Sequence, residues 1–279
     1  MTPMVVAVVL GSAVLHALWN ALAHSAKDRL TAIALIAVAA GTCAAVLLPF
    51  LPTPNHVVWP YIALSTVLET MYSFGLVLAY KLGEFGRMYP IARGTSPLVV
   101  ALVATFVVGQ PMSGFEALGI AVVSAGLLAL ALSDGLPTRK DLPAILAAVG
   151  TGCTIAGYTV VDGVAVRRAG TVLGYSCWVF LTEAILILGI TAAIRRRTFL
   201  AKLRVGTVRG LGGGVISMTA YTLVLWAQTR GNLAVIATLR ETSILIGAAI
   251  GALVLKEGFG RIRLAASAGV VLGILLIAH

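Results

Sequence analysis

Residues 91–97 read Ile-Ala-Arg-Gly-Thr-Ser-Pro, and residues 238–244 read Thr-Leu-Arg-Glu-Thr-Ser-Ile. Arg93, Thr95 and Ser96 thus match Arg240, Thr242 and Ser243 at one constant offset. The same offset pairs Leu98 with Leu245, Ala101 with Ala248, Val107 with Val254 and Gly126 with Gly273. A polar loop recurs too, GQPMSG at 109–114 against KEGFG at 256–260. One shared Arg-x-Thr-Ser can arise by chance. A register held across two apolar spans and a loop marks an internal duplication.

Composition says where the duplicated unit lives. Of 279 residues, 59% are hydrophobic and 11% charged, and the mean hydropathy is +1.03. Soluble domains carry about 45–50% apolar and about 25% charged residues. A disordered chain, a disulfide scaffold and an ordinary soluble enzyme are excluded, and a polytopic membrane protein remains. A bilayer-spanning helix needs about 20 residues. Ten spans fit, at about 4–23, 30–50, 58–80, 88–108, 115–132, 143–161, 171–194, 210–228, 232–254 and 261–278. Turn-forming clusters separate them: Pro52 and Pro54, then Gly109, Pro111 and Gly114, then Asp134, Gly135 and Pro137. The first residues, MTPMVVAVVL, lack the basic region of a signal peptide, so the first span is expected to be retained.

The net charge of +10 could suggest nucleic-acid binding, but the basic residues lie in short loops between apolar runs. Alternate loops hold fifteen Lys and Arg residues, from Lys27 to Arg263, against Arg167, Arg168 and Arg230 on the other side. The positive-inside rule makes the richer side cytoplasmic, so both termini are expected on the non-cytoplasmic side of a cell (inner) membrane. Orientation explains the basic run Arg195–Arg209, which could also meet lipid headgroups. Cys43, Cys153 and Cys177 lie inside apolar runs, without metal-ligand or disulfide spacing.

Five spans per half is an odd number, so the halves cross the membrane in opposite senses. The expected fold is all-α, with ten transmembrane helices in two inverted five-helix repeats, residues 1–135 and 136–279. Such repeats place a solute site near the midplane.

The segments YPIARGTSPLVVALVATFVVGQPMSG and VIATLRETSILIGAAIGALVLKEGF, each running into a glycine-containing fifth span, resemble the drug/metabolite transporter superfamily, and its EamA-type repeat in particular. The resemblance implies transport of small organic metabolites through a central cavity. It also implies that the first four helices of each half line that cavity and the fifth lies outside it. Small multidrug members of the superfamily couple to protons through a first-span carboxylate. Here that span carries His16, so the scheme does not transfer.

Ionisable groups at the bilayer centre cost about 2.5–3.5 kcal/mol each. His16, Glu69, Arg93, Glu183, Arg240 and Glu241 would together cost about 15–20 kcal/mol on lipid. That exceeds a typical stability of about 5–15 kcal/mol, so they are expected to face inward. Arg93 precedes Pro97 by four residues, and proline cannot donate to the Arg93 carbonyl. The helix is expected to open there, with Pro90 disturbing the turn before it. Arg93 reads either as a substrate or gate arginine or as an ion-pair partner of Glu69 or Glu183. Arg240 is its repeat mate, on one face with Ser243, as Arg93 is accompanied by Ser96. Glu241 points about 100° away around the helix.

Glu69 and Glu183 read as proton-coupling carboxylates or as ion-pair partners. Ser12, His16 and Asn20 form a polar stripe on span one, and Thr154, Tyr158 and Asp162 form one on span six. Tyr72 and Tyr221 stand at comparable places on spans three and eight, where aromatic rings can stack on a ligand or cage a cation. Gly247-x-x-x-Gly251 and Gly269-x-x-x-Gly273 are small-residue contact faces. The second could serve a homodimer, and a monomer is equally compatible.

No nucleotide-binding loop, metal-binding His/Cys cluster or hydrolase elbow occurs. The sequence therefore reads as a non-enzymatic, cofactor-free secondary active transporter. Its expected cargo is a small polar organic metabolite, amino-acid-like or anionic, moved by alternating access with protons as candidate coupling ion. Alternatives are a channel or membrane scaffold and, less well supported, an intramembrane lipid-modifying enzyme. The loops lack the paired acids that such an enzyme would need.

Overall fold

Long runs of Ala, Leu, Val and Ile cannot leave backbone polar groups unpaired in lipid, so each run closes its hydrogen bonds internally as a helix. The computed structural model describes residues 1–24, 28–132, 135–196, 207–246 and 261–278, and their regular structure is entirely helical. The elements are α1 (Pro3–His24), α2 (Arg29–Leu47), α3 (Trp59–Leu82), α4 (Phe85–Phe106) and α5 (Gly114–Ala131), then α6 (Leu142–Val166), α7 (Val172–Arg195), α8 (Thr207–Gln228), α9 (Leu233–Arg240) and α10 (Arg261–Ala278). Among the described residues, six stretches are by length and composition able to cross a membrane, centred on α1, α2, α3, α5, α6 and α7. Large apolar side chains stay exposed along their outer faces, among them Leu64, Val67 and Met71 of α3 and Leu146 of α6. Such faces suit lipid rather than water.

Helix starts follow local chemistry. Ser113 and Glu116 form a reciprocal capping box at α5, with bonds of 3.2 and 2.7 Å. The Asn232 side chain accepts from the backbone N–H groups of Ala234 and Val235 and starts α9.

The helices pair in a regular way. α1 packs on α8 and α3 on α6, while α2 packs on α7 and α5 on α10. Exchanging α1–α5 for α6–α10 in chain order turns the first pairing into the second. It leaves the last two unchanged. Small residues permit these approaches. A Cβ on Gly273 of α10 would stand 2.7 Å from the Gly119 carbonyl oxygen of α5, and Gly269 faces the Gly126 backbone. The Gly269/Gly273 face is thus covered from within the chain. Gly214 of α8 is a close-packing glycine, because a Cβ there would lie 2.7 Å from the Ile36 carbonyl oxygen of α2. Gly247 and Gly251 lie outside the described residues, as do 197–206 of the basic run.

Two expectations about helix breaks need correction. α4 runs unbroken through Pro90 and Pro97, so the helix does not open at Arg93. The break lies in the other half, where a turn at Glu241 ends α9 and helical residues 242–246 follow. A helix absorbs the missing proline donor by a slight bend when neighbours hold it. α4 is so held, with Arg93, Gly94, Ser96 and Pro97 among its buried residues.

Each end of the bundle is tied across the two halves of the chain. At one end Arg87 meets Asp141 at 3.4 Å and Arg195 meets Asp28 at 2.7 Å. At the other, the Asn55 side chain donates to the Arg168 carbonyl at 2.7 Å. Within the second half, Arg167 donates to the carbonyls of Gln228 and Gly231 at 2.9 and 2.6 Å.

Candidate functional site

The helices enclose a cavity of about 100 Å³. Among the described residues its lining comes from α1, α2, α3, α6, α7, α8 and α9 and from none of α4, α5 and α10, so the expectation that the first four helices of each half line it fails at α4.

One wall is cationic. Arg240 lines it, donating from Nη2 to the Tyr158 hydroxyl at 3.3 Å, while its Nε has no hydrogen-bond partner. Tyr158 meets Tyr72 edge to face at 5.8 Å. His16 lines the same wall and receives an Arg93 guanidinium nitrogen on Nε2. On its other nitrogen, Nδ1, it faces the indole N–H of Trp19 at 3.2 Å. A neutral imidazole has one N–H and one acceptor nitrogen, so His16 can accept from only one of these two donors.

Arg93 lies one layer behind this wall. It is 2% exposed, and Nη1 stands 3.1 Å from Oε1 of Glu241, which is 1% exposed. Its guanidinium also sits over the Tyr89 ring at 5.5 Å. The ion-pair partner is therefore Glu241, not Glu69 or Glu183. Removing either member would leave a buried charge uncompensated, at a cost of about 3–5 kcal/mol.

Carboxyl groups line the same cavity. Glu69 of α3 and Glu183 of α7 line it as neighbours. Asp162 of α6 stands behind them. It accepts from the Tyr175 hydroxyl at 2.7 Å on Oδ1 and from the Tyr221 hydroxyl on Oδ2. Oε1 of Glu69 has no hydrogen-bond partner, although the residue is only 6% exposed.

The cavity thus unites seven of the residues singled out by sequence: His16, Glu69, Tyr72, Tyr158, Glu183, Tyr221 and Arg240. Five do not line it. Arg93 and Glu241 form the buried pair behind. The Asn20 amide donates to the His16 carbonyl of its own helix at 2.8 Å. Ser96 and Ser243 are buried away from the cavity. Asp162 and Tyr175 went unrecognised as site residues. Asp162 seemed to sit at a span end, but α6 continues to Val166. Its i+4 spacing from Tyr158 was the available signal. Its partners on α7 and α8 are beyond any local pattern.

Fold and cavity together define a multi-pass membrane protein with a charged interior. Residues 142–279 match the model of the EamA-like transporter family, and this segment belongs to that family within the drug/metabolite transporter superfamily. A solved crystal structure, titled only as that of a protein, superposes with a TM-score of 0.78 over 100% of this chain and 99% of that one. At 17% identity it shows the fold alone. No curated protein matches the chain.

Proposed function

We propose that the protein is a ten-span secondary active transporter of the cell (inner) membrane. Two inverted five-helix repeats, residues 1–135 and 136–279, move a small polar organic metabolite by alternating access. The observation that carries this reading is the cavity lined both by Arg240 and by Glu69 and Glu183. A zwitterion of amino-acid type satisfies both kinds of group at once, carboxylate toward Arg240 and ammonium toward the glutamates. A simple anion satisfies only one, and adds negative charge to a site already rich in carboxylates. The exchangeable helix pairing supports the inverted repeat, and the ties at both ends of the bundle are contacts that alternating access would make and break in turn. One chain holds the whole cavity, so the reading needs no second copy.

The test is flux into proteoliposomes of the purified protein, with a panel of amino acids, organic anions and organic cations. Saturable uptake of an amino acid, accelerated by the unlabelled compound on the far side, is the expected result. Non-saturable flux without such acceleration would establish a channel, and no flux of any solute a scaffold. Labelling of cysteines added at both termini from the outside checks the orientation.

A further inference from the structure

His16 and Trp19 of α1 both line the cavity, and both are half-buried. They lie one helical turn apart and meet edge to face, with ring centroids 5.2 Å apart. The Trp19 indole nitrogen stands 3.2 Å from His16 Nδ1. On the far side of the imidazole, an Arg93 guanidinium nitrogen contacts Nε2. Guanidinium and indole nitrogens only donate. The imidazole has one acceptor nitrogen for two donors, so one donor goes unanswered.

Arg93 takes the acceptor. Its guanidinium is charged, and charge-assisted hydrogen bonds are roughly twice as strong as neutral ones. It is also fixed in place, with Glu241 at 3.1 Å and the Tyr89 ring beneath it. At 2% exposure it has no solvent to turn to. The bond at Nε2 requires a bare nitrogen there, so the imidazole proton sits on Nδ1. Two N–H groups, His16 Nδ1–H and Trp19 Nε1–H, then lie side by side and cannot bond each other. Neither has another partner among the described residues. Both residues border the cavity, so the acceptor that satisfies them comes from there.

We propose that His16 Nδ1–H and Trp19 Nε1–H form a two-donor site for a carboxylate oxygen of the solute, with the tautomer set from behind by Arg93. This names part of the solute's site and rests on the transport reading. Arg240 lines the same cavity. A carboxylate has two oxygens with about four acceptor positions, so one group takes the arginine and the donor pair together. His16 and Trp19 bind the solute, and Arg93 is a positioning residue that acts through His16. An ammonium group finds no acceptor at this pair.

Nitrogen-15 NMR of the protein in non-ionic detergent, labelled at histidine and at the tryptophan indole, tests this through binding alone. Its failure is therefore distinct from failure of the flux assay. His16→Gln and Trp19→Phe assign the signals, and propionate is the probe. In the empty protein His16 should show a protonated Nδ1 and a bare Nε2. Propionate should move the His16 Nδ1 and Trp19 Nε1 signals saturably, and methylammonium should move neither. Trp19→Phe keeps a ring but no N–H. Propionate affinity, read at His16, should fall about tenfold, as for the loss of one hydrogen bond to a charged group. Arg93→Met/Glu241→Met should shift the His16 proton to Nε2 and engage the Trp19 indole on Nδ1. A bare Nδ1 in wild-type protein overturns the donor pair and needs no variant to fold. Signals that propionate leaves in place, or an affinity unchanged in Trp19→Phe, overturn the site. An unchanged tautomer in the double variant overturns the role of Arg93.

Discussion

Replacing Arg93 by Met would strand the Glu241 carboxylate at a position 1% exposed to solvent. The native carboxylate has its cation at 3.1 Å, and His16 loses a donor in the same step. Breaking a buried pair from one side costs about 3–5 kcal/mol. At roughly 2–4 °C per kcal/mol for a chain near this size, the melting temperature should fall by about 6–20 °C. Glu241→Met should cost a similar amount by leaving Arg93 unpaired. The double variant distinguishes this account from simple loss of packing. Apolar residues in place of a whole buried pair are often neutral or stabilising by about 1–4 kcal/mol. Arg93→Met/Glu241→Met should therefore recover most of what either single change loses. The assay is thermal unfolding of the three variants in one detergent. Additive losses in the double variant would refute the pairing argument, and so would a single-variant loss below about 1 kcal/mol, the range of an exposed pair.

Arg240→Gln should lower flux about 10–150-fold, the equivalent of losing a charge-assisted hydrogen bond of about 1.5–3 kcal/mol, while melting temperature moves little. Initial-rate uptake in proteoliposomes reads it, and unchanged flux would make the arginine structural. Gly273→Val should destabilise by about 1–3 kcal/mol, since the new side chain meets the α5 backbone at Gly119 and a helix backbone yields poorly. Thermal unfolding checks this, and an unaffected melting temperature would mean that α5 and α10 are not in contact. The backbone N–H and hydroxyl of Thr138, with help from Arg87, hold Asp141 below its ordinary pKa of 3.8. A depressed carboxyl stabilises the fold above that value and loses its contribution as pH falls through the lowered one. Stability should therefore decline on acidification below about pH 4, and Asp141→Asn should flatten that part of the profile. Melting temperature against pH for the two proteins decides it.

Some features were open to reading in the chain alone because they depend on neighbours in sequence. Runs of Ala, Val and Leu broken by Pro and Gly place helices, and the described elements fall on the expected spans within a few residues except at the ninth, where α9 ends at Arg240. The repeated Arg-x-Thr-Ser is legible in the sequence and falls on α4 and at the end of α9. The cost of charge in lipid predicts that the ionisable residues turn inward. Local spacing also misled. Proline chemistry put a helix break at Arg93, yet neighbours pack α4 tightly enough to carry it through. The break fell at Glu241, which no Pro or Gly announces.

Tertiary structure alone decided which charges meet. The sequence offered Arg93 two carboxylates, Glu69 of α3 and Glu183 of α7, and the structure pairs it with Glu241 at the end of α9 instead. Asp162 accepts two hydroxyls because α7 and α8 deliver Tyr175 and Tyr221 to it. The α10 glycine face closed on α5 instead of remaining available to another chain. The physical reason is common to all three. Periodicity fixes the side of a helix on which a residue lies. The identity of the group it faces depends on how separate helices rotate and settle against one another, and that is determined by packing over the whole bundle.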